Sequence, residues 1–517
     1  MSSRQTKPKT GLGEKMAEKN DDAKALKVAK TLKNADNWKQ LARWHGDGYY
    51  ELQTEDTRDV PVRLFFTKAL LDATEDILYR QIVNATRFPG TRLVVITPDT
   101  HYGYGVPVGC VLVTDADSGA IAMGPVGYDI GCGMMSARSN VEAGAATPER
   151  RLAFNRAVME RVDMGAGGKS KGLRGLSDGE FQNLVRGGAE YYVGKYGATF
   201  DRSRAERHRI PVEDGWRVPW GGKGRPERGR EQLGSLGGGN HFIELQRSEQ
   251  TGTLFLQVHT GSRGFGHGLA TNYFELAREE RPAEITDIDL GYFTPDSKHY
   301  KDYLNAVAAG GNYAILNRLV IFEQVADAFR ETFGAELELV YEISHNLVQR
   351  EWHPDYGEVF VHRKGATRAF PAGHPLLKGT AWEQTGHPVL IPGSNKDWSY
   401  ILRPLEGAVK SGYSVNHGAG RRLSRGAANR ELSQRLIDDE YRAAGVVVNA
   451  DGRVPLDEAA PAYKSAQEVI EAVTGAGLAR IEHQLWPLAS LKGTDERKGK
   501  QRFKGGKGAG KKSSQHY

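Results

Sequence analysis

The sequence predicts a mixed fold of helices and strands in one large domain, residues 60–493, with a basic segment at each end. Apolar residues switch between helical and strand spacing along the chain, histidines recur where predicted strands end, and no linker of convincing length interrupts the domain. The composition is that of a globular protein, because 39% of the 517 residues are hydrophobic and 26% are charged.

The first predicted elements follow a basic flexible arm, residues 1–35, and an aromatic N-terminal extension, residues 36–59. Apolar residues at helical spacing over residues 70–85 predict a helix, and the apolar run at residues 93–96 predicts a buried strand. This strand is predicted to open into a polar loop at residues 97–101, which carries two candidate ligands or bases, Asp99 and His101.

Two further strands are predicted to lead directly to histidines. They are residues 254–258, which precede His259, and residues 337–343, which precede His345. Residues 169–230 are rich in Gly, Arg and Glu with weak periodicity, which predicts a surface insertion with helical pieces. Helical packing elements are predicted at residues 313–329 and 431–443.

The net charge of +6 resides in the C-terminal tail, because residues 494–517 carry eight basic and two acidic side chains. A Gly/Lys-rich segment of this kind cannot bury apolar surface, so the tail is predicted to be disordered. A polyanion such as RNA is the favoured partner of the tail, and a solubilising role is the alternative.

Several classes of protein are excluded or disfavoured. No charge-free apolar run approaches the ~20 residues needed to cross a bilayer, so a cytoplasmic protein without a membrane partner is expected. The only two cysteines, Cys110 and Cys132, exclude a disulfide framework. The tripeptide GKS at residues 168–170 does not complete a P-loop, because Asp163 stands where the first glycine is required.

Glycine is frequent, at 63 residues, and five metal-competent side chains lie in Gly-rich segments or at strand ends: Asp129, Cys132, His241, His259 and His345. One carboxylate, one thiolate and three imidazoles can hold one or two divalent cations, and the sulfur can bridge a pair. Each of the histidines and Cys132, taken alone, is more simply explained as structural, as a hydrogen-bonded histidine or a small core cysteine. Their shared setting favours a metal site.

A further Gly-rich segment, NHGAGRRLSR at residues 416–425, places His417 among small residues with three arginines following. Small neighbours allow a phosphate to approach the imidazole, and arginines can neutralise its charge bidentately. Histidine can act as a covalent nucleophile toward phosphorus. The alternative is an anion-binding loop in which His417 has no chemical role.

These motifs occur in an order that resembles the RtcB-type RNA ligases. The matching blocks are PDTHYGYG at 98–105, GYDIGCGM at 127–134, LGGGNHFIE at 236–244, HTGSRG at 259–264, SHN at 344–346, IPGS at 391–394, HGAGR at 417–421 and PLASLKG at 487–493. The resemblance implies an α+β fold, with stacked mixed β-sheets and peripheral helices around a deep cleft for metal and nucleotide.

The resemblance also implies an activity: joining RNA 3′-phosphate or 2′,3′-cyclic phosphate ends to 5′-hydroxyl ends through a guanylylated histidine, in tRNA splicing or RNA repair. The implied cofactors are two Mn²⁺ ions and GTP, and the implied partners are RNA and an archease-like activator. Manganese follows from the resemblance alone, because histidine and cysteine ligands by themselves favour zinc.

Matched residue by residue, the resemblance makes His417 the guanylylated nucleophile and the five metal-competent side chains the metal ligands, with Cys132 bridging. The implied guanine-nucleotide contacts are Asn240, Glu244, His345, Asn346, Pro392, Gly393, Ser394, Ser399, His417, Gly418, Ala419, Gly420, Tyr463 and Lys492. The implied RNA contacts are Arg263, Arg421 and Arg425, and Asp99 and His101 are expected just outside the ligand set.

The chain departs from the family pattern at a few positions. Asn416 stands in place of a cysteine, NKDW at residues 395–398 replaces a stretch of small residues, Ser465 replaces an acidic residue and Tyr128 replaces a small aliphatic residue. These departures indicate a divergent paralogue. They leave two alternatives to the ligase, namely a metal-dependent RNA-end phosphoesterase without ligation and a non-catalytic RNA-binding paralogue.

Overall fold

The computed structural model describes residues 32–198 and 209–493. Three segments lie outside the described residues: nearly all of the predicted N-terminal arm, residues 199–208 of the predicted insertion, and the basic tail over residues 494–517.

The described ranges contain nineteen β-strands. They are β1 (Arg43–Trp44), β2 (Tyr50–Leu52), β3 (Val62–Leu64), β4 (Thr91–His101), β5 (Val108–Asp115), β6 (Ile121–Ala122), β7 (Gly133–Glu142), β8 (Phe242–Ser248), β9 (Thr253–Thr260), β10 (Tyr292–Phe293), β11 (Glu338–Ser344), β12 (Asn346–His353), β13 (Gly357–Lys364), β14 (Ala366–Arg368), β15 (Val389–Ile391), β16 (Ser399–Pro404), β17 (Ser414–Asn416), β18 (Val447–Val448) and β19 (Ala479–Lys492).

Ten α-helices occur in the same part of the chain. They are α1 (Trp38–Leu41), α2 (Lys68–Ala73), α3 (Leu78–Ala85), α4 (Pro148–Arg161), α5 (Asp178–Tyr196), α6 (Arg263–Glu280), α7 (Tyr300–Phe333), α8 (Arg425–Glu431), α9 (Gln434–Ala443) and α10 (Ala466–Gly475). None of these helices is both long and apolar enough to cross a membrane.

Most strands belong to two sheets. The first sheet has the order β1-β2-β3-β4-β5-β13-β12, and the second has the order β11-β7-β9-β8-β19-β16-β15, with β18 added beside β19. Both sheets are mixed, because β3 pairs with β4 in parallel and β18 pairs with β19 in parallel, whereas their other neighbours are antiparallel. Two short ribbons, β6 with β10 and β14 with β17, complete the pairing.

The two large sheets share a core. Val95 of β4 belongs to the same buried cluster as Ile391 of β15 and Leu402 of β16. Its neighbour Val94 faces the other side of the first sheet and packs in a separate cluster with residues of α2 and α3, as the alternation of side chains along a strand requires. The predicted stacked mixed sheets with peripheral helices are therefore confirmed.

Helix α7 is the central helix of the second sheet's core, and it contains the helix predicted at residues 313–329. It begins earlier than predicted, at Tyr300, because the Gly310–Gly311 pair does not interrupt it. A side chain at Gly310 would lie 2.9 Å from Ile130, so the glycine allows the segment before Cys132 to approach the helix closely.

Three predicted boundaries were wrong. Residues 70–85 form two helices rather than one, because Thr74 is extended at the end of α2. Residues 431–443 are interrupted at Leu432, which is extended between α8 and α9. Residues 97–101 are not a loop but the end of β4, where the polar side chain of Asp99 is fully buried.

Residues 169–230, predicted as a surface insertion, also contribute to the core. Phe181, Leu184 and Val185 of α5 are buried in one cluster with Tyr313 and Leu316 of α7. The helical pieces predicted there correspond to α5 and to a short 3-10 helix at Pro226–Glu231.

Candidate metal and nucleotide site

The candidate site lies at the ends of adjacent strands, on one side of the second sheet. Strands β11, β7, β9 and β8 are consecutive antiparallel neighbours, so the end of each strand lies beside the beginning of the next. Gly133 pairs with both Ser344 and Thr260, and Phe242 pairs with His259. This register gathers the segments that carry all five predicted metal ligands: Asp129, Cys132, His241, His259 and His345.

The five side chains form two overlapping groups that share Cys132. One group is Cys132, His259 and His345, the other is Asp129, Cys132 and His241, and the ligand atoms of each group lie within 4.8 Å of one another. Cys132 Sγ lies 3.3 Å from His259 Nε2 and 3.6 Å from His241 Nε2. A shared sulfur with nitrogen and oxygen donors on either side suits a bridged pair of divalent cations.

Backbone carbonyls fix the orientation of two of the imidazoles. His241 Nδ1 lies 3.0 Å from the Leu236 carbonyl oxygen, and His259 Nδ1 lies 3.0 Å from that of Asn240. Because a carbonyl only accepts hydrogen bonds, each Nδ1 carries the proton and each Nε2 presents its lone pair to the ligand group. The rings therefore have the tautomer that metal binding requires.

Burial governs the protonation of this group. It raises the pKa of the Cys132 thiol well above its ordinary value, and it lowers the pKa values of His259 and His345. Burial also raises the pKa of Asp129, but the adjacent His241 ring, the charge of Arg263 and the hydrogen bond from the Ser262 N–H together outweigh it, so the pKa lies below the ordinary value. A bound cation would stabilise the thiolate and offset the effect of burial on Cys132.

A buried arginine, which the sequence analysis missed, links the ligand segments. Arg318 of α7 donates from Nη1 to the carbonyls of Gly131 and Thr260 at 2.8 and 2.9 Å, and from Nη2 to Ser344 Oγ at 2.8 Å. Its charge is paired with the equally buried carboxylate of Glu342. Each of the three acceptor residues directly adjoins a predicted ligand, namely Cys132, His259 or His345.

His417 lies beside the ligand group, where a buried carboxylate orients it. The His417 and His345 ring centroids are 4.9 Å apart. Nδ1 of His417 donates to Asp99 Oδ2 at 2.6 Å, and the backbone N–H groups of His417 and Gly418 donate to the same oxygen at 3.1 and 3.2 Å. With the proton on Nδ1, Nε2 of His417 keeps its lone pair.

Asp99 is held in turn by its own neighbours. Thr97 Oγ1 donates to Asp99 Oδ1 at 2.6 Å, and His101 Nδ1 donates to the Asp99 carbonyl at 3.0 Å. Burial raises the pKa of Asp99, but its close contact with His417 and the hydrogen bond from Thr97 outweigh the effect of burial, and the pKa is lowered. Gly420 has a φ of +79°, and a side chain there would lie 2.0 Å from the Asp99 carbonyl oxygen, so glycine is required for this contact.

A cavity of about 650 Å³ joins the metal ligands to the predicted nucleotide contacts. The predicted residues that line it are His101, Asp129, Cys132, Asn240, Glu244, His259, His345, Asn346, Pro392, Gly393, Ser394, His417, Gly418, Ala419, Gly420, Arg421, Arg425, Tyr463 and Lys492.

Four predicted site residues do not line this cavity: Asp99, His241, Ser399 and Arg263. Ser399 Oγ accepts a hydrogen bond from the Gly393 N–H at 3.0 Å and so supports the IPGS segment. Arg263 donates to the carbonyls of Gly165 and Ala166 at 3.2 and 3.3 Å.

Two buried carboxylates, Glu244 and Glu458, lie among the predicted nucleotide and RNA contacts. Glu244 lines the cavity, and Glu458 contacts residues that line it. Burial raises the pKa of Glu244 to about 7, although Gln246 donates a hydrogen bond to it at 2.7 Å. Glu458, which the sequence analysis missed, accepts from Arg421 and Lys492 at 3.2 Å each and from Tyr463, and lies 2.7 Å from Arg425. Glu458 therefore contacts two predicted RNA contacts, Arg421 and Arg425, and two predicted nucleotide contacts, Tyr463 and Lys492.

The four-residue departure NKDW contributes little to the cavity, because only Asn395 lines it. The other three contact neighbouring groups: Lys396 pairs with Glu440 at 2.6 Å, Asp397 accepts from the Ala466 N–H at 2.9 Å, and the Trp398 ring lies 5.0 Å from that of Trp486.

The chain is similar to known proteins over most of its length. Residues 81–493 match the family described as tRNA-splicing ligase RtcB. The tRNA-splicing ligase RtcB of Pyrobaculum aerophilum is 36% identical over 466 residues, which covers 84% of this chain and 95% of that protein. The tRNA-splicing ligase RtcB of Thermococcus kodakarensis is 35% identical, with the same coverage of 84% and 95%. The RNA-splicing ligase RtcB of Mycobacterium tuberculosis is 36% identical over 80% of this chain and 100% of that protein.

Proposed function

The chain belongs to the RtcB family of RNA ligases, and on this basis we propose that it uses GTP to join RNA 3′-phosphate or 2′,3′-cyclic phosphate ends to 5′-hydroxyl ends, in tRNA splicing or RNA repair. One observation carries the proposal. His417, with its Nδ1 proton held by Asp99, lies beside two ligand groups that share Cys132, in a cavity large enough for a nucleotide.

In the first step, His417 is the nucleophile. Its Nε2 lone pair attacks the α-phosphorus of GTP, a nitrogen–phosphorus bond forms, and the bond to pyrophosphate breaks. The imidazole gains positive charge in this step, and the Asp99 carboxylate at 2.6 Å stabilises that charge while keeping the ring oriented.

The donor set fits two divalent cations, which would neutralise the negative charge of the phosphates during transfer. We propose Mn²⁺ on the strength of family membership. The preset tautomers of His241 and His259 support metal binding, but they do not select manganese over zinc.

A 2′,3′-cyclic phosphate must first be opened by water, which breaks the bond to the 2′-oxygen and leaves a 3′-phosphate. The guanylyl group then passes from His417 to an oxygen of the RNA 3′-phosphate, and the nitrogen–phosphorus bond breaks. The 5′-hydroxyl of the second RNA then attacks that activated phosphorus, a phosphodiester forms and GMP leaves. Arg421 and Arg425 line the cavity, so we propose that they contact the RNA phosphates, and that Glu458 holds them in place beforehand.

The principal alternative is a phosphoesterase that alters the RNA end without ligation. The sequence feature that favours this alternative is the altered segment at residues 395–398. Only Asn395 of that segment lines the cavity, and this small contribution supports the ligase. Labelled RNA with a 2′,3′-cyclic phosphate and a second RNA with a 5′-hydroxyl, incubated with manganese, separate the two. A joined product that requires GTP is expected, whereas an opened RNA end without GTP consumption would establish the phosphoesterase.

Asp99→Asn is expected to slow adduct formation on His417 by about 10²- to 10⁴-fold, because the variant no longer fixes the Nδ1 proton or stabilises the charged imidazole. Single-turnover guanylylation with labelled GTP measures this rate. The matched control is Asp115→Asn, the same change at a carboxylate paired with Arg92 outside the cavity. Equal rates in the two variants would contradict an orienting role for Asp99.

The pH dependence of nucleotide binding should follow Glu244. Guanine presents N–H donors, so it needs the ionised carboxylate, but burial raises the pKa of Glu244 to about 7. Glu244 is therefore protonated below pH 7, and we expect affinity to fall about tenfold per pH unit there and to level off above it. A GTP analogue with an uncleavable α–β bridge allows calorimetry without turnover.

The control for this prediction is Glu244→Gln, which should weaken binding and remove its dependence on pH between 6 and 8. Lys492 and Tyr441 also face Glu244, and the variant separates its titration from theirs. A pH dependence that persists in Glu244→Gln would show that another group is responsible.

A further inference from the structure

A group of aromatic side chains lines the cavity next to the metal ligands and takes no part in the steps above. We call this group, Tyr104, Tyr128, His267 and Phe274, the aromatic wall. Tyr128 directly precedes the ligand Asp129, so the wall adjoins the site at which a phosphate would be held.

The wall is a rigid surface built on α6. The Tyr128 ring stacks on Phe274 with ring centroids 4.8 Å apart and planes 6° apart, and on His267 at 5.3 Å. Phe274 is buried, whereas Tyr104 is 54% exposed and meets the Tyr128 ring edge-on at 6.1 Å. The Tyr128 hydroxyl donates to Asp289 Oδ1 at 2.8 Å, which fixes the ring.

The loop that carries Tyr104 is also anchored. Lys364, buried in β13, donates from Nζ to the carbonyls of Tyr104 and Val106 at 2.6 and 3.0 Å. The charge of Lys364 is therefore directed at backbone, and the surface offered to a ligand is mainly aromatic, with the Asp289 carboxylate as an acceptor at its border. Held aromatic rings beside an acceptor are the features by which proteins bind unpaired bases of RNA.

Resting on the proposed function, we propose that the aromatic wall binds the terminal base of the phosphate-bearing RNA end, with the base stacked on Tyr128. The phosphate of that end must reach the ligands, and the nucleoside attached to it then lies beside Asp129 and therefore beside Tyr128. The guanine of GTP has a separate set of predicted contacts around Glu244 and Lys492.

Two consequences for specificity follow. A purine offers more stacking surface than a pyrimidine, so ends that terminate in a purine should be preferred, and an end lacking the base should bind least well. The family resemblance implies a small aliphatic residue where this chain has Tyr128, so this preference should distinguish the protein from relatives with an aliphatic residue there.

The test is a double-mutant cycle between protein and RNA. The KM for the 3′-phosphate strand is measured with a terminal adenine or an abasic terminus, for the wild-type enzyme and for Tyr128→Val. Each single change is expected to raise KM about tenfold, and both together should raise it no further, because each removes the same stacking contact. Tyr128→Phe, which keeps the ring, should restore most of the affinity for the adenine end.

The controls separate the possible failures. Trp352→Val removes an aromatic residue that is 48% exposed outside the cavity, and it should leave both KM values unchanged. If Tyr128→Val melts at a lower temperature, Tyr104→Ala at the exposed edge of the wall replaces it, with an expected increase of about threefold in KM for the adenine end only.

An abasic penalty that is as large in the variants as in the wild-type enzyme would overturn the proposal. So would a penalty that appears only when the base is removed from the 5′-hydroxyl strand. Failure of the proposed function would look different, because the wild-type enzyme would then form no guanylylated adduct in the absence of RNA.

Discussion

His417→Ala is expected to abolish the covalent GMP adduct, with a loss of guanylylation on the order of 10³-fold or more. The reason is geometric: His417 combines a position beside the metal ligands with a neutral Nε2 whose tautomer is set by Asp99. Incubation with manganese and α-labelled GTP, followed by acid and alkali treatment, measures the adduct. A nitrogen–phosphorus bond should be labile in acid and stable in alkali.

The matched control is His45→Ala, which removes an exposed histidine from the loop between β1 and β2, outside the cavity. This variant should be labelled as efficiently as the wild-type protein. An acid-labile adduct that survives in His417→Ala would place the nucleophile elsewhere, and an adduct stable in acid but not in alkali would exclude histidine altogether.

The second large effect is expected at Cys132. Because both ligand groups include its sulfur, Cys132→Ala should weaken the binding of both ions rather than one, by more than the 10- to 100-fold typical of residues behind the ligands. Guanylylation should fall with metal occupancy. Elemental analysis after dialysis against a weak chelator reports the number of ions retained, and labelled GTP reports the activity of the same samples.

The chain supplies a matched control in Cys110, its other cysteine. Cys110 is equally buried, but it lies on β5 in the cluster with α2 and α3, and burial raises its pKa to about 12, as for an unreactive core thiol. Cys110→Ala should cost about 1 kcal/mol of stability and retain both ions. If it loses them as well, misfolding explains both variants; if Cys132→Ala retains both, Cys132 is not a shared ligand.

The candidate metal ligands could be found in the sequence because their signal is local, and the structure brings them into two groups that could hold a metal ion. Asp129, Cys132, His241, His259 and His345 each lie in a Gly-rich segment or at the end of an apolar run, and the antiparallel order of β11, β7, β9 and β8 then brings these segments together. The strand order itself could not be predicted from spacing. The family resemblance implied stacked mixed sheets without a strand order, and the structure supplies that order.

Residues that act through distant partners could not be predicted. Arg318 lies 187 residues from Gly131, and nothing in the helical pattern around it indicates that its charge is turned inward. Glu458 lies in a short segment with no distinctive local pattern. Its role depends on the charges of Arg421, Arg425 and Lys492, which other parts of the chain bring close to it. Residues 97–101 were misjudged for a related reason, because polar residues suggest a loop unless their buried partners are known.

Because one guanidinium, that of Arg318, bonds beside three predicted metal ligands, the candidate metal site is part of the protein core. Removing Arg318 would leave the buried Glu342 carboxylate without its ion-pair partner, which costs about 3–5 kcal/mol. It would also remove the hydrogen bonds that hold the three segments beside Cys132, His259 and His345. Substitution of His417 has no such consequence for the scaffold. Substitution of His417 is therefore expected to remove activity while leaving a folded protein, whereas loss of Arg318 would disrupt the candidate metal site together with the fold.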